Sequence, residues 1–257
     1  MDSSRPRGTA PRAGTAAALT GRTEDLGSAV AALRGGTHVA VLLLGDRGIG
    51  KTTLMEAVAA ELEPEVTPIR IHGSSSLTHV PYGVLGPFLV GLPVQEATSQ
   101  LAVLRTLWGQ LEEERRAARK PLLLVVDDAH DLDEATAGIL VELAAAGWAK
   151  LLVGAAARPG LPEPLLQLWF EGIAERHDLR PLTQQQTTEM LERTLGTQVL
   201  PNVVELFWEA SEGNPLLLNS LIDDAKHDGT LLQRNGVWLL TRPLNSHGDR
   251  LTDVVRR

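Results

Sequence analysis

The chain reads as an α/β protein: a parallel sheet wrapped in helices, followed by a smaller all-helical part. Three observations predict this. From Leu19 onward, apolar runs of strand length alternate with longer stretches of helical period. A glycine-rich segment, GDRGIGKTT (Gly45–Thr53), falls between the first such run and the first helix after it. A second apolar run, LLLVVDDAHDLD, ends in paired carboxylates.

Taken in order, the elements follow from period and breakers. His38–Leu44 is an apolar strand, Lys51 to about Leu62 a helix, and Val66–His72 a second strand. Gln95–Arg119 is amphipathic, with Leu101, Leu104, Leu107, Trp108 and Leu111 spaced three or four apart, and Pro121 stops it. Leu122–Val126 and Leu151–Ala156 are continuously apolar, as strands covered on both faces require, with a helix over Glu134–Ala146 between them. A fifth strand falls near Glu175–Leu179. After Pro181 the pattern is helical only, through Gln184–Leu195 with Thr183 as N-cap, Pro201–Ala210 and Pro215–His227. In LLQRNGVWLLT, Asn235-Gly236 separates two short apolar runs and predicts a hairpin. No solenoid repeat is present.

Composition excludes several classes. At 257 residues the chain exceeds the usual single domain, and 43% hydrophobic against 22% charged residues supports a real core. Lys and Arg number 24 against 32 for Asp and Glu, a formal net charge of −8, which disfavours nucleic-acid binding by this segment. The absence of cysteine removes disulfides, thiolate zinc sites and cysteine nucleophiles, and is compatible with a reducing compartment. The first 18 residues, rich in Arg, Pro, Ser, Gly and Ala without an apolar period, read as a disordered tail. They contain no apolar core of a secretory signal, and proline breaks up the helix of a transit peptide. No run approaches the ~20 apolar residues of a membrane span. A soluble cytoplasmic protein without a membrane partner is expected.

The segment GDRGIGKTT satisfies G-x-x-x-x-G-K-[ST] in the strand-to-helix context where that pattern has a mechanism. Gly45, Gly48 and Gly50 permit a backbone that turns its amides inward around phosphate oxygens, and Asp46, Arg47, Ile49 and Thr53 complete the loop. Lys51 reaches the β and γ phosphates, and the Thr52 hydroxyl ligates Mg²⁺. The helix N-terminus adds partial positive charge. The competing reading is a coincidental glycine-rich turn. Guanine specificity is disfavoured, because no Asn-Lys-x-Asp element occurs.

Asp127, at the end of the second acidic run, is placed to hold Mg²⁺. Asp128 orients or deprotonates the attacking water, or else caps the next turn as Asp131 and Asp133 are suited to do. His130 reads as a structural or signal-relaying residue, since no second ligand lies at metal spacing on its helix. Arg158 follows a buried strand and emerges at the carboxyl edge, either to sense a γ phosphate or as a surface arginine. The charged run Glu112–Lys120 is more simply a solvated helix face than a source of an arginine finger.

Together, LTGR (Leu19–Arg22), GDRGIGKTT, LLLVVDDAHDLD, the strand leading to Arg158 and SEGNPLLL (Ser211–Leu218) resemble the ATPase module of STAND proteins, in particular large LuxR-type transcriptional regulators. The resemblance covers nearly everything after the tail. It implies a P-loop NTPase, AAA-like sheet of order 5-1-4-3-2 with a helical lid. The corresponding boundaries are 1–18 for the tail, 19–181 for the nucleotide-binding domain, 182–230 for the lid, and 231–257 for the incomplete opening of a winged-helix-like segment. It places Gly21 and Arg22 near the base and sugar, although Thr23 stands where the family usually has Glu. It brings Asn214 and Pro215 to the nucleotide from the lid. Read locally, Gly213-Asn214-Pro215 is a helix C-cap followed by a helix start.

The function expected is a switch that binds ATP or ADP with Mg²⁺ and hydrolyses slowly, with Lys51, Asp127, Asp128 and Arg158 as the catalytic set. Self-association or a protein partner is expected in the ATP state. Two rivals stand beside it: a phosphotransferase with an unidentified acceptor, for which His72–Phe88 could line a pocket, and an AAA-like DNA-loading ATPase.

Overall fold

The structure, a computed structural model, describes residues 21–96, 99–158 and 160–244, so the tail and the segment beyond 244 lie outside the described residues. The chain divides into two compact units, one spanning Glu24–Arg180 and the other 181–244 with 21–23.

The first unit is built on five parallel strands: β1 (Ala40–Leu44), β2 (Thr67–His72), β3 (Leu122–Asp127), β4 (Ala149–Ala155) and β5 (Ala174–Asp178). Their order across the sheet is β2-β3-β4-β1-β5, the expected order read from the other edge. Sequence polarity explains the positions. β1 and β3 are buried along their whole length, and β4 at every residue but Lys150, whereas β2 and β5 carry polar residues and take the edges. Burying leucines such as Leu42, Leu43, Leu124 and Leu152 contributes about 1.5–3 kcal/mol each. The parallel register brings Leu44, His72, Asp127, Ala155 and Asp178 to one carboxyl edge.

Among the described residues, five α-helices belong to this unit: α1 (Thr23–Arg34, whose first residue groups with the second unit), α2 (Lys51–Leu62), α3 (Gln100–Ala118), α4 (Glu134–Ala145) and α5 (Glu163–Phe170). α2 packs on β4 and β3. α3 starts later than its period suggests, because Ser99 caps it, and its inward stripe is Val103, Leu107 and Leu111. Leu101, expected on that stripe, is more than half exposed. α4 is capped by Asp133, whose carboxylate accepts the Thr136 amide at 2.9 Å and the Thr136 hydroxyl at 2.6 Å. Asp131 instead lies inside the short turn Ala129–Asp131.

The second unit contains α6 (Gln184–Leu195), α7 (Pro201–Ser211) and α8 (Pro215–His227), with the hairpin β6 (Leu231–Arg234) and β7 (Val237–Leu240). Its core is Leu191, Phe207, Leu218 and Ile222, and Leu231 of the hairpin is buried with them. Trp238 donates its indole N–H to the Leu195 carbonyl at 3.1 Å, so the hairpin shares this core. The turn uses Asn235 at φ 50° and Gly236 at φ 78°, the paired left-handed conformations of a two-residue hairpin.

Thr183 caps α6 reciprocally: its hydroxyl accepts the Gln186 amide at 3.2 Å, and the Gln186 side chain accepts the Thr183 amide at 2.9 Å. Thr183→Ala is expected to cost about 1 kcal/mol, against a change under about 0.5 kcal/mol for Thr188→Ala on the same helix. Urea denaturation followed by circular dichroism measures both.

Candidate functional site

The glycine-rich loop fills the gap between β1 and α2 at the carboxyl edge. Gly45 donates its amide to the Ala155 carbonyl at 3.3 Å, and Leu179 donates to the Leu44 carbonyl at 2.7 Å, so β4 and β5 hold the loop's entrance. A Cβ on Gly45 would sit 2.9 Å from Ile49 Cγ2 and 3.0 Å from the Leu179 carbonyl oxygen. Ile49 is buried and anchors the loop, while Asp46 and Arg47 are exposed. Gly48 and Gly50 both have positive φ. Gly50 occupies the N-cap of α2 without a side-chain cap, which leaves first-turn amides to serve an anion.

Lys51 is 8% exposed, and its ammonium donates to the carbonyls of Gly45 at 2.9 Å and Asp46 at 3.0 Å. Burial pushes its pKa down, while the carboxylates of Asp128, Asp127 and Asp46 oppose that shift. Next to it, Thr52 donates its hydroxyl to Asp127 Oδ2 at 2.6 Å. Thr53 follows on the same helix, half-buried.

Asp127 is buried at the end of β3, and its other oxygen accepts the Asp128 amide at 2.9 Å. Asp128 takes a left-handed conformation, φ 48°, and is exposed at the edge. Of its two expected roles, side-chain capping is not realised. Arg158 is exposed, three residues past the end of β4.

The first unit therefore brings Gly45–Thr53, Asp127, Asp128 and Arg158 to one edge of one sheet. Gly21, Arg22, Asn214 and Pro215 belong to the second unit. There Gly21 has φ 78° and accepts the Gln186 side-chain amide at 2.7 Å, and Arg22 is buried. Asn214 caps α8 by accepting the amides of Leu216 at 3.0 Å and Leu217 at 3.4 Å, with Pro215 in the first helical turn. The preceding helix ends on Glu212, which takes the cap position expected for Gly213, and Gly213 follows it at φ 69°. A hollow of about 560 Å³ in this unit, lined by Glu189, Glu192, Arg193, Gly196, Thr197 and Gln198, includes none of the expected binding residues.

Two supporting glycines escaped the sequence reading. Gly73, just past β2, donates its amide to the Asp127 carbonyl at 2.8 Å, and a Cβ there would lie 1.9 Å from the Asp128 carbonyl oxygen. Gly154 leaves room for Met55 of α2, and a Cβ there would lie 3.2 Å from Asp127 Oδ1. Their only signal was a glycine near a strand's carboxyl end.

No cluster of three or more His, Asp or Glu side chains among the described residues could hold a metal alone. Mg²⁺ needs no such cluster: it keeps several waters and takes one or two protein oxygens beside substrate phosphates. The Thr52 hydroxyl and Asp127 carboxylate are hard oxygen donors of the right kind and number.

The AAA ATPase domain matches residues 18–154, just over half of the chain. The chain belongs to this family. An AAA domain is a P-loop nucleotide-binding unit, and the parallel sheet followed by helices agrees with solved AAA-type structures. Cdc6p from Pyrobaculum aerophilum is 15% identical with a TM-score of 0.58, covering 88% of this chain and 65% of its own. Orc1 from Aeropyrum pernix, solved in complex with DNA, is 20% identical with a TM-score of 0.57, covering 96% and 69%. A Thermotoga maritima RuvB variant is 22% identical with a TM-score of 0.51, covering 79% of this chain. The AAA chain spans 60% of that RuvB chain's length. A search of curated proteins finds no match. Among the described residues, no helix is long and apolar enough to cross a membrane.

The backbone contact at Gly73 generates a test. Gly73→Ala must displace the Asp128 turn, because the obstacle is main chain, and is expected to cost about 1–3 kcal/mol. Thermal unfolding compared with Gly86→Ala, where a Cβ meets open space, isolates the effect.

Proposed function

We propose that this AAA domain is the ATP-binding, slowly hydrolysing switch module of a LuxR-type STAND regulator. The observation that carries the reading is the 2.6 Å contact between Thr52 and Asp127, which joins the end of the phosphate loop to the acidic end of β3. Glycine-rich turns that merely connect a strand to a helix need no such partner. The family resemblance of the GR, DDAH and GNP segments adds the regulatory context.

In this reading the amides of 45–50 and the α2 N-terminus bind the triphosphate, and Lys51 exchanges its two carbonyl partners for β- and γ-phosphate oxygens. Thr52 and Asp127 hold Mg²⁺, which supplies positive charge against the phosphates. Asp128 orients the attacking water and Arg158 senses the γ phosphate. The resemblance assigns nucleotide contacts to Gly21, Arg22, Asn214 and Pro215 as well. Hydrolysis or exchange switches the state of the module, and output passes to a partner or to a second copy in the ATP state. Turnover is slow in this reading, which assigns no arginine finger among the described residues.

A second reading, a DNA-loading ATPase, draws on the fold likeness to Orc1. The net charge of −8 opposes it, and salt-dependent DNA binding by this chain would select it.

Two variants test the switch. Lys51→Ala is expected to lose the nucleotide that copurifies, identified by mass spectrometry, and the ATP-induced thermal shift, which at 100-fold saturation corresponds to about 2.7 kcal/mol. Equal nucleotide occupancy in that variant would place the phosphate site elsewhere. Asp128→Asn keeps a side chain suited to the left-handed backbone, so it is expected to retain ATP binding while phosphate release falls about 100-fold or more. Unaided turnover at tens per second in the unaltered protein would contradict a slow switch.

A further inference from the structure

The turn carrying Asp128 is strapped to the sheet from both neighbouring strands. On the β2 side, Gly73 donates to the Asp127 carbonyl, Thr78 donates its hydroxyl to the Asp131 carbonyl at 3.1 Å, and the Tyr82 amide donates to Asp133 Oδ1 at 3.2 Å. On the β4 side the contact is made by a side chain. Ala156, the first residue past β4, donates its amide to His130 Nδ1 at 3.2 Å. Because Nδ1 accepts, the neutral ring carries its proton on Nε2. Ala156 is two residues before Arg158, and His130 is two residues after Asp128.

We propose that His130 is a positioning residue of the phosphate site: its Nδ1 fixes the segment 156–158, and with it Arg158, against the acidic turn. The ring touches no reacting atom and acts through the Ala156 amide. The inference rests on the reading of Asp128 and Arg158 as the groups flanking the γ phosphate. β4 ends at Ala155, and the chain then runs through Arg158-Pro159-Gly160, so the sheet ladder does not hold the exposed Arg158. The imidazole supplies the missing acceptor from the neighbouring strand's turn. A histidine serving only as core filler would need bulk at this position, whereas this one needs an acceptor atom.

Two substitutions separate those roles. His130→Asn places an amide oxygen close to the position of Nδ1 and retains the acceptor, while His130→Leu retains bulk and removes it. The tether is read without nucleotide, as amide hydrogen exchange at Ala156 by NMR. Protection is expected in the unaltered chain and in His130→Asn, with exchange about tenfold faster in His130→Leu. Hydrolysis is read separately: kcat is expected to fall about tenfold in His130→Leu with KM for ATP within about twofold, and to recover to within about threefold in His130→Asn. Unchanged Ala156 protection in His130→Leu, or equal loss of kcat in both variants, overturns the proposal. Should His130→Leu fail to fold, rapid Ala156 exchange in the unaltered chain still overturns it, and protection retained in His130→Asn supports it. Failure of the unaltered chain to bind ATP would defeat the switch reading, and the exchange measurement would still decide the tether.

Discussion

A hydroxyl against a carboxylate, Thr52 on Asp127 at 2.6 Å, is the contact on which the arrangement of the first unit turns. It joins α2, which leaves β1, to the end of β3, yet β1 and β3 are not neighbours. β4 lies between them, and α2 must cross it closely enough for its first turn to reach Asp127. Gly154 makes that crossing possible. Its missing side chain is where Met55 of α2 packs, so a small residue in the middle strand sets how near the helix and the acidic strand end can approach. The strand order, a bare position on β4 and the loop glycines thus serve one short distance.

The acidic turn shows a similar economy with backbone strain. Asp128 and Tyr82 both adopt left-handed conformations that are unfavourable for side chains, and for a bulky tyrosine markedly so. Each is held by its surroundings. The Asp128 amide is bonded to Asp127, and the Tyr82 amide to Asp133, the residue that caps α4. Asp133 therefore does two jobs, starting a helix and pinning the segment after β2. The turn between β3 and α4 is a crossroads where β2, β3, β4 and α4 exchange hydrogen bonds.

Much of this was legible from sequence where the signal is local. α2, α6 and α8 have the boundaries that their glycine, threonine and asparagine starts indicate, and the three central strands stand out as apolar runs. The positions of the glycine-rich loop after β1 and of Asp127 at the end of β3 were legible because each lies within a contiguous motif. α5 was missed because Pro162 and Pro164 obscure a helix of eight residues, and α1 because its period is weak in an alanine- and glycine-rich stretch. Leu101 misled the reading of α3, since a helical stripe drawn from leucines and Trp108 overlooked Val103. Gly73, Gly154 and the His130–Ala156 bond were not legible, because each is a contact between chain segments whose spacing only the folded sheet determines.

The ammonium of Lys51 is satisfied by the carbonyls of its own loop, so a buried cation and two main-chain dipoles brace the turn between β1 and α2 from within. On the proposed reading, a polyphosphate would have to compete with the protein's main chain for that cation, and the net affinity would be the difference between two sets of bonds.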